Sequence, residues 1–190
     1  MTRNHWAPVT GAIAAISCLA ACQSTVTTQT TFARPYATAR LTKVFVVENL
    51  IGALEKQMGD SYGDFQATLT KGLQECGISS EFYRVDSTML SLDTQAKLQA
   101  ALAAAEKSGS DAILIVNEDS GRTVSSGQTS ALTVAYSFNF TDAKTHQAIW
   151  TARSTLSARW NAGPKLAESM LANMKDAAIL RNCNPSKGPT

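Results

Sequence analysis

The N-terminal stretch from Ala7 to Ala21 is apolar or small throughout, interrupted by Thr10 and Ser17. At roughly 15 residues it is too short to cross a bilayer, which takes about 20. From Leu41 onward the pattern becomes that of a folded domain. Lys43–Val47 is a short β-branched run and predicts a buried strand. Phe65, Leu69 and Leu73 recur every four residues and predict a helix, with Asp64 as its cap and Gly77 at its end. Leu50 to Asp60 is ambiguous and compatible with a helical turn. Glu81–Val85 predicts a second strand. Asp93 or Thr94 then starts an Ala-rich helix carrying Leu98, Ala101, Leu102 and Ala105 along one side, stopped by Ser108-Gly109. Ala112–Val116 is the most hydrophobic run after residue 40 and predicts a central strand covered on both faces.

The second half has a different period. Glu118 to Ser130 is polar and rich in Ser and Gly, and predicts a loop. Leu132, Val134, Tyr136, Phe138 and Phe140 then alternate with smaller or polar residues, the mark of a strand with one buried face. Asp142–His146 predicts a turn and Ile149–Ser157 the hairpin partner. Pro164 suits the first turn of a last helix lined by Leu166, Met170, Met174 and Ala177. The expected fold class is α/β (α+β), with a mixed sheet, the order β-α-β-α-β-β-β-α, and helices packed on the sheet. The two leading strand-helix-strand units imply parallel pairing with right-handed crossovers.

Composition narrows the function. Of 190 residues 44% are apolar and 17% charged, which excludes a charge-rich disordered chain. With 17 Lys+Arg against 15 Asp+Glu, no basic excess points to nucleic acid.

The basic start Met1-Thr2-Arg3, the apolar middle and the small-residue end have the layout of a secretory signal peptide. Leu19-Ala20-Ala21-Cys22 resembles the lipobox of bacterial lipoproteins, whereas Ala15-Ile16-Ser17-Cys18 is a poorer copy without the Leu. The resemblance implies that Cys22 is alkylated with diacylglycerol, that the signal is cut before it, and that the new amine is acylated. The partner so implied is the lipid bilayer. One acyl chain anchors only marginally, whereas several hold firmly. Gln23 in place of an Asp implies sorting to the outer membrane, on its periplasmic face. The expected organisation is a signal peptide over 1–21, a lipidated N-terminus and flexible tether over 22–40, one globular periplasmic domain over 41–182, and a polar tail over 183–190. As a coil the tether would span roughly 25 Å.

Asp111–Val116 together with Asp142-Ala143-Lys144-Thr145 and Ile149-Trp150 is similar to small envelope lipoprotein domains: the penicillin-binding-protein activators, the curli-secretion lipoprotein and the amino-terminal domain of the Tol-system propeller protein. This resemblance implies a fold rather than a function. The chain lacks the activators' long proline-rich linker and an obvious membrane-spanning hairpin of the curli kind.

Catalytic chemistry is not legible. His5 leaves with the signal, and His146 sits in a turn without a Gly-x-Ser-x-Gly elbow. No Cys-x-x-Cys, His-x-x-x-His or phosphate loop occurs, so neither metal nor cofactor is expected. Asp60, Asp64, Glu118 and Asp119 read as caps and loop charges. Trp150 reads as core. Trp160, Arg122, Glu118 and Asp119 are candidates for binding a partner, because Trp is enriched at hot spots and the loop is a natural docking segment. Cys76 and Cys183 fall at the ends of two predicted helices; in an oxidising periplasm they form a disulfide if those ends meet at roughly 5–6 Å between Cα atoms, and otherwise stay as two thiols.

Three functions compete. The first is a non-catalytic, outer-membrane-anchored accessory or assembly factor that binds an envelope protein. The second is a structural subunit of a homo-oligomeric secretion or export assembly. The third is a small-ligand binder or hydrolase with an unrecognised site.

Overall fold

A computed structural model describes residues 24–34, 41–54, 61–86, 91–126, 129–158, 161–181 and 183. One six-stranded mixed sheet forms from β1 (Thr25–Ala33), β2 (Lys43–Leu50), β3 (Ser79–Asp86), β4 (Ala112–Ser126), β5 (Thr129–Asp142) and β6 (Ala148–Ala158), in the order β1-β6-β5-β4-β2-β3. The strands β2/β3 and β2/β4 pair in parallel, and the rest are antiparallel. Helices α1 (Ser61–Gln74), α2 (Ser91–Lys107) and α3 (Ala162–Asp176) complete the α+β fold expected from the pattern.

The main core lies under α1 and α3. There Phe65, Leu69, Leu166 and Met170 meet the alternating Val134, Phe138 and Phe140 of β5. A smaller core on the other face joins Ala101 and Ala105 of α2 to Phe45, Val47 and Ile113. This two-sided cover explains why the central strands are apolar at successive positions. The α1–α3 crossing is close. A Cβ on Gly163 would fall on the Ser61 carbonyl and the Phe65 nitrogen. Helix α1 ends where Gly77 (φ 72°) lets the Ile78 N–H reach the Leu73 carbonyl. At the start of the parallel strands Asp111 Oδ2 accepts from Thr42 N, Thr42 Oγ1 and Lys43 N, at 2.7, 2.7 and 3.0 Å.

Two readings of the sequence need correction. Residues 25–33, read as tether, form strand β1. This strand shows no apolar alternation because it is an edge strand, largely exposed, held by hydroxyls rather than by a core. Thr28 bonds Ser154 and Ser169, Thr30 bonds Asn173, and Thr31 bonds Thr151. Secondly, Glu118–Ser130, read as a loop, is mostly β4 and β5, paired to Ser126–Thr129. Beyond Asn117 no pair joins β4 to β2, so this ribbon has β5 as its partner and carries polar residues.

Candidate functional site

The structure treats the expected partner-binding residues differently. Cys22 and Trp160, like Asp60, lie outside the described residues. Arg122 is exposed on β4, opposite Thr133. Asp119 is exposed and accepts from Ser137 Oγ at 2.9 Å. Glu118 presents nothing to a partner: it is 3% exposed, with Oε2 accepting from Gly52 N at 2.8 Å and Oε1 from Leu54 N at 3.1 Å. Its carboxylate therefore fastens the segment that follows β2 onto β4. Opposite that segment stands Gly121, where a Cβ would collide with the Ala53 Cβ.

Glu118 belongs to a polar cluster at the carboxyl ends of the parallel strands. The Tyr62 and Tyr136 hydroxyls lie 3.2 Å apart in the core. Burial, the neighbouring Tyr136 and the Glu118 charge all push the Tyr62 hydroxyl up, and burial does the same to Tyr136, so both stay neutral phenols. Arg84 lies over the Tyr62 ring, 5.3 Å from its centroid, and reaches the fully buried Glu48 at 3.6 Å. Gln66 Nε2 donates to the same Glu48 oxygen at 2.7 Å. Sequence reasoning missed Glu48, Tyr62, Gln66, Arg84 and Tyr136 as a group. The one visible signal was an acid inside the apolar run Val44–Leu50, a placement that burial makes costly unless the charge is paired. The arrangement is suited to positioning: its carboxylates accept hydrogen bonds and its phenols are fully protonated. No cluster of three or more metal-ligating side chains occurs among the described residues.

At the opposite end of the sheet, Cys76 and Cys183 form a disulfide, with Cα atoms 3.8 Å apart, closer than expected. The bond joins the chain after α1 to the chain after α3. His146 is exposed in the β5–β6 turn with φ 55°, 4.0 Å from Glu106. Asp142 Oδ1 shapes that turn by accepting from Lys144 N, Thr145 N and Thr145 Oγ1. Trp150 is fully buried, and its Nε1 donates to Thr30 Oγ1 across to β1. A groove of about 330 Å³ runs between α1 and α3, walled by Gly72 and Leu171 and flanked by Lys71, Glu75, Glu168 and Lys175.

The lateral edges of the sheet are β1 and β3. Each carries an exposed aromatic, Phe32 at 40% and Tyr83 at 36%. Strand β3 also places Glu81 and Arg84 along its edge, and charges on an edge discourage indiscriminate pairing.

No protein-family model and no curated protein matches the chain. Solved structures do. PelC from Paraburkholderia phytofirmans, a dodecamer, superposes with a TM-score of 0.50 at 19% identity, covering 84% of this chain and 100% of that one. A point variant of the same dodecamer gives 0.50 at 16% identity, covering 80% and 97%. Lipoprotein GNA1162 from Neisseria meningitidis gives 0.38 at 15% identity, covering 73% and 98%. At these identities the likeness to PelC establishes a shared fold.

Proposed function

We propose that this chain is a non-catalytic lipoprotein of the bacterial envelope, held on the periplasmic face of the outer membrane by acylated Cys22. It acts as an accessory or assembly component, built from several copies of itself. The observation that carries this reading is the sheet whose lateral edges, among the described residues, are the unlike strands β1 and β3, in a fold shared with a dodecamer. Unlike surfaces that meet head to tail generate rings when the rotation closes. Lipidation at Cys22 rests on the lipobox resemblance, and the outer-membrane assignment rests on Gln23. The buried cluster around Glu118 and Glu48 supports a structural rather than a chemical role. Native mass measurement of the detergent-solubilised, acylated protein tests the reading. A discrete multi-subunit species is expected, and a strict monomer at every concentration would overturn it. The accessory role requires an envelope partner, which affinity capture from solubilised envelopes followed by competition with the purified domain would identify.

A further inference from the structure

The strand registers fix which end of the sheet the N-terminus leaves from. Thr25 pairs with Ser157, Ser157 with Thr133, and Thr133 with Arg122. These four residues form one row across β1, β6, β5 and β4. From that row β4 runs outward to Ser126 and β5 returns from Thr129, with Ser126 opposite Thr129. The last described β6 pair is Leu132 with Ala158, so the hairpin projects beyond it. Its end lies four residues past the row, about 13 Å further out. Because β1 runs inward from Thr25, its N-terminal end faces the same way as the hairpin end. Cys22 is three residues before Thr25, so it lies within about 11 Å of that row by any path.

We infer that the projecting end of the β4–β5 hairpin rests on the phospholipid headgroups of the membrane that holds Cys22. The inference depends on the proposed lipidation of Cys22. Acyl chains entering the bilayer at Cys22 place the headgroup layer no further from the row than the hairpin reaches. The composition of the ribbon fits that layer. Its described residues, Gly121–Ser126 and Thr129–Ser130, are Ser, Thr and Gly with a single Val, one cation and no acid. The cation, Arg122, is exposed on the same row as Thr25, where a headgroup of net negative charge is its natural counterion. The far end of the sheet, with the turn at Lys144 and the Cys76–Cys183 bond, points into the periplasm. Strand β5 alone separates the two ends by about 43 Å.

Single cysteines at Ser126→Cys, Thr129→Cys and Lys144→Cys in the acylated full chain, each carrying an environment-sensitive fluorophore, test the contact. The protein is reconstituted into phosphatidylethanolamine–phosphatidylglycerol vesicles doped with headgroup-nitroxide lipid. Quenching at positions 126 and 129 should exceed that at 144 at least threefold. Arg122→Gln should reduce it about twofold on these vesicles and leave it unchanged on purely zwitterionic ones. Equal quenching at all three positions, as for a domain lying flat, overturns the inference. So does a hairpin end shielded from aqueous quencher and from nitroxide lipid alike, the signature of a protein contact. Co-flotation of the unlabelled chain with vesicles separates the two claims. If it floats and the hairpin is unquenched, the contact fails and the anchor stands. If it does not float, both fall.

Discussion

Glu118 shows how far one side chain governs its surroundings. Its two oxygens occupy the N–H groups of Gly52 and Leu54, the latter bond fully buried, and its charge faces Tyr62. Leaving buried donors without an acceptor costs about 1–3 kcal/mol each. Glu118→Ala should therefore lower stability by about 2–4 kcal/mol in urea titrations, and Glu118→Gln, which keeps one acceptor, by about half as much. A change within 0.5 kcal/mol would mean that the 51–54 segment is held by other contacts. Asp111 makes a prediction about pH. Partial burial works against its charge, but the N–H and hydroxyl of Thr42, the N–H of Lys43 and the nearby Lys144 outweigh burial and hold its carboxyl below the ordinary value. A folded-state value below the unfolded one stabilises above about pH 4 and is lost as pH falls through the lower value. Asp111→Asn should accordingly lose less stability than the parent between pH 6 and pH 3. An unchanged slope would remove Asp111 from the acid response.

Between elements, the α1–α3 crossing depends on glycine for room. Gly163→Ala pushes a methyl onto backbone atoms of α1, which cannot swing aside. Overpacking of this kind costs about 1–3 kcal/mol or more. Gly72→Ala meets the flexible end of Leu171 and should be visibly milder in thermal melts. The same two helices share the Cys76–Cys183 bond, spanning 107 residues. On the chain-entropy model its removal costs about 4–5 kcal/mol, so Cys76→Ser with Cys183→Ser should melt well below the parent. The elements that declared themselves in the sequence are those whose apolar pattern marks burial: β2, β3, the inner part of β4, β5, β6 and the helices α1, α2 and α3. Strand β1 did not, because Thr25–Ala33 gains its place through polar hydrogen bonds with residues some 120 to 145 positions away. Nor did the outer ribbon of β4, whose residues 119–123 are polar or small and exposed. Of the polar cluster only Glu48 was conspicuous, since Tyr62, Gln66 and Arg84 become partners through the packing of α1 and β3 on β2.

At the scale of the whole molecule, the sheet has two unlike lateral edges and two unlike ends. Assembly through the edges predicts that Phe32→Glu, an exposed change on β1, shifts the native mass to smaller species while the melting temperature stays within about 2 °C, as surface substitutions generally allow. An unchanged mass would take this part of β1 out of the interface. Cys22→Ala should release the protein from membranes, whereas Cys18→Ser should not. Acyl label still incorporated after Cys22→Ala would move the anchor elsewhere.

Strand β1 also sets an order of events during biogenesis. Its pairing partner is β6, with Thr28 facing Ser154 at a separation of 126 residues. Contacts this distant in sequence form late, because the loop between them must first be closed. A chain emerging N-terminus first cannot seat this strand until its C-terminal third has followed. Until then residues 25–33 remain unpaired. Completion of the sheet then fixes residues 25–33 against β6, so processing at Cys22, if it follows the lipobox, meets this strand unpaired only before that step.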